Sequence, residues 1–335
     1  MEIKNKSNRK TSKSLVLLVG IGGFVIPLFI VLCCLFSSTF LIVFSCFWIA
    51  SQLHQLGIRE GFKRKGILSV FELYQDHGSQ ASKFIEALNE PKFVDPSELT
   101  FEKLVTENYV VMREEILDYV NRRGDTFISA YDNQLLSTTN SWTACSIMGW
   151  GLKTNSGFPT TERIMRQIGA VTCNVSRLPS KTDIKAHNGE TNAFTRCHLP
   201  LVVPAPLPDA GMVVGGEQRS WVEGEILAFI DLNLHSAFNN TAKDRIVLIF
   251  DVMRPGLEDY RSSCCVRWLV FYTFAVFDES FDSLSINKRL VKVWRPIFHW
   301  IAKPPITLVL WVHYRWFCRK LPFWFRIHKN TGFYF

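Results

Sequence analysis

Hydrophobic and polar positions change their spacing several times along this chain. Residues 15–53 are almost wholly apolar, and from Ser14 to Ile58 there is no Asp, Glu, Lys or Arg. As one helix this run would measure roughly 58 Å, about twice the ~30 Å hydrocarbon core of a bilayer. The pattern therefore predicts two short transmembrane helices over residues 15–54, a hairpin turning near residues 36–39. Basic residues flank the run on both sides, with Arg59, Lys63, Arg64 and Lys65 after it. Both flanks are therefore expected in the cytoplasm, with the protein integral to a membrane. The run is too long for a signal peptide and no A-x-A site ends it.

Beyond the run, residues 55–98 lack strand alternation and read as a connector. Residues 100–122 repeat Tyr109, Met112, Ile116 and Val120 at helical spacing, predicting an amphipathic helix. After about residue 160 the spacing turns to short β segments: 198–203, 226–231 and, most clearly, 245–252. Gly, Pro, Asn and Asp punctuate them, which predicts a mainly β domain, a sandwich or jelly roll, with flanking helices. The expected organisation is a basic arm (1–14), a transmembrane segment (15–54), a connector (55–98), a catalytic domain (99–282) and a basic aromatic tail (283–335).

Composition sharpens this picture at three points. The 335 residues are 47% hydrophobic and 20% charged, which excludes a disordered polymer. The formal net charge of +8 is uneven: +4 over residues 1–14, +10 over 283–335 and −6 between them. An acidic middle argues against a nucleic-acid-binding body. Five of the ten Trp lie among the ten basic residues of the tail, a mixture suited to lipid headgroups. Nine cysteines without a CxxC give no disulfide framework or zinc ribbon, and fit a reducing compartment.

Chemistry concentrates in residues 176–255. His187 opens His-Asn-Gly-Glu-Thr-Asn, and Arg196 and His198 follow. Then come Trp221-Val-Glu-Gly224, Phe229-Ile-Asp231, His235, Arg245 and Arg254-Pro255. Strand alternation puts Arg196 and His198 on one face. His235 and Arg245 flank residues 236–244, which would set them near the open end of two neighbouring antiparallel strands. An imidazole for a metal beside a guanidinium for a carboxylate suits a dicarboxylate cosubstrate.

This ordered string, together with Leu104–Tyr109 near its start, resembles the aspartyl/asparaginyl β-hydroxylase family of Fe(II)/2-oxoglutarate dioxygenases. The apolar run and the basic tail further resemble the membrane-anchored bacterial lipid A acyl-chain hydroxylases of that family. The resemblance implies a double-stranded β-helix fold, with Fe(II), 2-oxoglutarate and O2 as cofactor and cosubstrates. It implies His187 and His235 as iron ligands and Arg245, assisted by Ser176, on the distal carboxylate of 2-oxoglutarate. Arg196 and His198 would lie near the other carboxylate. The usual facial triad adds a carboxylate two residues after the first His; here that position is Gly189. Water could take the position, steadied by Asp231, while Glu190 reads as a solvated loop acid. The implied activity is hydroxylation of an unactivated C–H of a membrane lipid acyl chain, at the bilayer of a bacterial inner membrane, with the catalytic domain cytoplasmic. Two alternatives stand beside it: a peptidyl Asp/Asn β-hydroxylase, with which the Gly189 pattern agrees, and a non-catalytic jelly-roll binding module. The oligomeric state is open.

Overall fold

The computed structural model describes residues 38–122, 128–129, 142–283 and 288–317. The described residues divide into two units, one of residues 38–60 with 266–317 and the other of residues 61–265. The first described element is a long helix, α1 (Ser38–Lys65), followed by α2 (Val70–His77), α3 (Ala81–Ala87) and a short strand β1 (Phe93–Val94). The stretch read as a connector is thus largely helical, and β1 hydrogen-bonds into a sheet. Val70, Leu73, Ala81 and Ile85 form a small apolar cluster with Leu232.

The expected helix over 100–122 is two, α4 (Glu102–Glu107) and α5 (Tyr109–Arg122). They separate at Asn108, whose side-chain amide donates to the Leu104 carbonyl and closes the first helix. Met112 and Ile116 are fully buried, as their spacing requires. Next come β2 (Ile128–Ser129), β3 (Thr143–Gly149), β4 (Leu152–Lys153) and α6 (Pro159–Gln167).

Eight strands then follow: β5 (Thr172–Leu178), β6 (Thr182–Asn188), β7 (Phe194–Val202), β8 (Ala210–Val214), β9 (Glu217–Arg219), β10 (Leu227–Ile230), β11 (Leu234–Asn239) and β12 (Arg245–Met253). They form two antiparallel sheets. The larger runs β1-β10-β7-β12-β5-β3-β2, with β4 beside β3, and the smaller runs β6-β11-β8-β9. Strands β5, β12, β7 and β10 therefore face β6, β11, β8 and β9, the arrangement of a jelly roll. Leu178, Leu227 and Phe229 from the larger sheet share one core with Ile184, Met212, Val214 and Ala237 from the smaller. The outer face of the larger sheet buries Val175, Leu199, Leu248 and Phe250 against Met112, Ile116, Ile164 and Met165 of the helices.

The other unit holds most of α1 and of α7 (Arg261–Ser283) together with α8 (Lys288–Phe317). Asp278 of α7 lies 3.0 Å from His299 Nε2 and 3.2 Å from Arg295 Nε of α8.

The transmembrane expectation needs correction. Among the described residues, no helix is long and apolar enough to cross a membrane. In α1 the apolar stretch is broken by Ser51, Gln52, His54 and Gln55, then by charges from Arg59 onward. In α8, Lys292, Arg295, Lys303 and three prolines interrupt it. The integral-membrane assignment, and the cytoplasmic placement derived from it, are therefore withdrawn. Residues 15–37 of the expected hairpin and 318–335 of the tail lie outside the described residues.

Candidate active site

The smaller sheet brings two imidazoles together. Strands β6 and β11 are antiparallel with His187 directly opposite His235, and the ring centroids are 4.3 Å apart. A register shift between His235 and Ala237 bends β11 here, a device that re-aims side chains at strand rims. Each ring is fixed in the same way. His187 Nδ1 donates to the Lys185 carbonyl and His235 Nδ1 to the Asn233 carbonyl, both at 2.8 Å. With the proton on Nδ1, the Nε2 lone pair of each ring is left for another partner. Burial lowers the pKa of both imidazoles, and the neighbouring His187 lowers that of His235 further. Both are neutral, the form that binds metal.

The inner face of the larger sheet opposes this pair with polar rows. In one row, Thr172, Asp251, Arg196 and Phe229 lie side by side on β5, β12, β7 and β10. In the next lie Asn174, Ile249, His198 and Leu227, and in the third Ser176 stands beside Val247. Arg245, two residues before Val247, shares its face. One cavity is lined by Ser176, Arg196, His198 and Arg245 from this sheet and by His187 and His235 from the other.

Arg245 is 1% exposed, yet among the described residues its Nε and Nη1 have no hydrogen-bond partner. Its compensation is the indole face of Trp221, 4.6 Å away. Desolvation pulls its pKa down to about 9. Trp221 also donates its N–H to His198 Nδ1 at 3.2 Å. The proton of His198 is therefore on Nε2, and the ring is a neutral donor; burial and the two neighbouring arginines hold its pKa well below the ordinary histidine value. The Ser176 hydroxyl accepts from Trp142 Nε1 at 2.9 Å, leaving its own proton to donate.

Gly189 shows why its position carries no side chain. A Cβ there would fall 2.2 Å from both Cγ and Oδ2 of Asp231. The Asp231 carboxylate fills that space, accepting from the Glu190 amide at 2.9 Å, while its carbonyl accepts from the Gly189 amide at 3.0 Å. Burial raises the Asp231 pKa to about 6, against the pull of Arg196, whose Nη1 is 2.5 Å from Oδ1.

Six of the seven residues singled out in the sequence line the cavity, and the seventh, Asp231, is fully buried and ion-paired with Arg196. Three details differ from expectation. His235 and Arg245 are on facing sheets rather than neighbouring strands, because residues 236–239 continue β11 before the chain crosses over. Arg196 is held by carboxylates of its own, with Nε and Nη2 on Asp251 at 2.8 and 3.0 Å in addition to Asp231. Glu190 is no solvated acid: its Oε2 is buried without a partner among the described residues, and burial raises its pKa well above the carboxylate range. Trp142 and Asn174 were not anticipated. Asn174 stands two residues before Ser176, so alternation alone would have put it on the same face.

Among the described residues, no cluster of three His, Cys, Asp or Glu is placed to hold a metal ion. The two neutral imidazoles with free Nε2 atoms nevertheless suit a transition metal with open positions, and the buried carboxylate of Asp231 adds negative charge beside the place of a third ligand.

This is a jelly roll with an imidazole pair on one sheet and, on the other, an arginine that has no ion pair among the described residues. Residues 106–255 match the family model described as aspartyl/asparaginyl beta-hydroxylase. An ornithine lipid ester-linked acyl 2-hydroxylase of Rhizobium tropici is 29% identical over 175 residues, 50% of this chain and 62% of that protein. An aspartyl/asparaginyl beta-hydroxylase of Mus musculus is 24% identical over 229 residues, 63% of this chain and 30% of that protein. The chain thus spans less than two thirds of the length of these relatives. Among solved structures, a Pseudomonas putida prolyl-4-hydroxylase is similar at a TM-score of 0.34 and 13% identity, over 46% of this chain and 98% of that one.

Proposed function

We propose that the domain is an Fe(II)- and 2-oxoglutarate-dependent hydroxylase. The observation that carries the reading is Arg245, a buried guanidinium without an anion among the described residues, opening on the same cavity as two facing imidazoles. A buried charge needs a partner, and a dicarboxylate that also reaches a metal would supply it. His187 and His235 would hold iron through Nε2. Arg245 and the Ser176 hydroxyl would take the distal carboxylate, and His198 would donate from Nε2 to the end nearer the metal. Arg196, clasped by Asp231 and Asp251, would keep the Asp231 carboxylate fixed against Gly189. When bound, iron with 2-oxoglutarate and O2 supplies the oxidant that converts C–H to C–OH, one oxygen atom entering the product and the other the succinate formed with CO2.

A lipid acyl chain is the favoured substrate, supported by the Rhizobium tropici relative, whose name states acyl 2-hydroxylation of an ornithine lipid. A lipid A-like substrate at a bilayer is one form of this reading. Peptidyl Asp/Asn hydroxylation is the second reading, favoured by glycine at 189 and by the mouse relative. The test is a titration of 2-oxoglutarate into protein loaded with Mn(II), followed by melting temperature. Stabilisation that requires both His pair and Arg245 is expected. Equal stabilisation of wild type and Arg245→Ala would refute the assignment.

A further inference from the structure

The unit containing most of α1 and α8 has its polarity reversed. On α1, Ile42, Cys46, Ile49, Leu53 and Leu56 recur at alternating four- and three-residue spacing, a single stripe, and all are exposed, Leu53 at 63%. The other side carries Trp48, Ser51 and Gln55. Ser51 is fully buried, Gln55 Nε2 donates to Thr307 Oγ1 of α8 at 3.2 Å, and the Trp48 ring lies 4.9 Å from Trp300. A helix in water buries its apolar stripe and exposes its polar one; α1 does the opposite. Helix α8 adds an exposed stripe of its own, Val293, Trp294, Ile297, Trp300 and Ile301, with Trp294 at 62%. An apolar surface of this extent marks an interaction site.

Charge indicates what covers it. Helix α8 contains Lys288, Arg289, Lys292, Arg295, Lys303 and Arg315 and no acid. Two copies meeting through such a helix would repel. Aromatic and aliphatic side chains interleaved with Lys and Arg match the boundary between acyl chains and anionic headgroups. We propose that the exposed stripes of α1 and α8 dock onto the surface of an anionic lipid layer, the helices lying against it without crossing. This stands on the helical unit alone and does not depend on the reaction proposed for the jelly roll.

The full chain is sedimented with vesicles of phosphatidylcholine alone and of phosphatidylcholine containing phosphatidylglycerol. Binding to the anionic vesicles, weakened by high salt, is expected. Two double variants, Ile49→Glu with Leu53→Glu, and Trp294→Glu with Ile297→Glu, should each lower binding by about tenfold or more. The positions are exposed, so unchanged melting temperatures will show that the fold is kept. A blue shift of tryptophan fluorescence on adding anionic vesicles provides a reading on the unmodified chain. No binding to anionic vesicles, or binding that neither double variant reduces, would overturn the proposal. So would a concentration-dependent dimer, measured by light scattering, that the same substitutions dissociate, since that would assign the stripes to a second copy. Titration of Mn(II) and 2-oxoglutarate on the same preparation reports the jelly-roll site separately.

Discussion

Replacing Arg245 by Met should make the ligand-free protein more stable. Met keeps an unbranched apolar chain but removes the charge. The guanidinium is 1% exposed and its pKa is pulled down to about 9 by burial. A fall of that size from the ordinary arginine range corresponds to roughly 5 kcal/mol of desolvation. The Trp221 face, 4.6 Å away, returns about 0.5–2 kcal/mol. On the order of 3 kcal/mol is left uncompensated until an anion arrives. Arg245→Met removes that penalty, and at about 2–4 °C per kcal/mol the melting temperature should rise by roughly 6–12 °C. Wild type should recover the difference when 2-oxoglutarate binds, gaining about 2.7 kcal/mol at a hundredfold excess over Kd, whereas the variant should gain nothing. Arg245→Lys, which keeps the charge but loses the fork, should raise the 2-oxoglutarate requirement by about tenfold. Differential scanning calorimetry with and without 2-oxoglutarate, with Mn(II) present throughout, measures both terms. If Arg245→Met melted lower than wild type and kept the 2-oxoglutarate shift, Arg245 would be a structural ion and the reasoning would fail.

His187→Ala and His235→Ala should each abolish Mn(II) binding followed by electron paramagnetic resonance, with the fold retained; affinity within tenfold of wild type would remove that residue from the metal site. Gly189→Asp should destabilise by about 3 kcal/mol or more, because its Cβ meets Asp231 at 2.2 Å. Adding Asp231→Ala should recover part of that stability, as denaturant midpoints will show. Arg196→Met leaves Asp231 and Asp251 buried without their cation and should cost about 3–5 kcal/mol by the same measurement. His198 is held neutral in the fold, so below about pH 6.5 the unfolded chain takes up a proton that the folded one refuses. Stability attributable to this ring is complete above about pH 6.5 and falls on acidification, by up to about 1.4 kcal/mol per pH unit relative to His198→Gln.

Alternation along 245–252 and the apolar run at 226–231 were enough to locate β12 and β10. Period two also put Arg196 and His198 on one face. It could not say which sheet a strand joins, and so His235 and Arg245 were expected on neighbouring strands when they face each other across the core. Strand β6, Thr-Asp-Ile-Lys-Ala-His-Asn, has too little alternation to announce itself, although it carries one of the imidazoles. The partner of Arg196 was hidden for a related reason: Asp251 lies 55 residues away, and only the β7–β12 register brings the two together. Gly189 was legible as an absence of a side chain, but the carboxylate lying against it comes from a turn after β10 that no local pattern connects to it. The apolar run misled because hydropathy counts residues without asking which side of a helix they occupy, and α1 keeps Ser51 and Gln55 on its packed side.

Placing the imidazole pair on one sheet and Arg245 on the other turns the spacing of the two layers into a gauge. Facing sheets sit about 10 Å apart, and that separation is set by the whole core rather than by any loop. Under the proposed function, a dioate that touches both walls would therefore be measured from end to end. A homologue one methylene longer would have to buckle, and one shorter would leave an end unheld. Selection by length would then change with substitutions such as Met212→Ala or Phe229→Leu, which thin the filling between the walls without removing a polar group from the site.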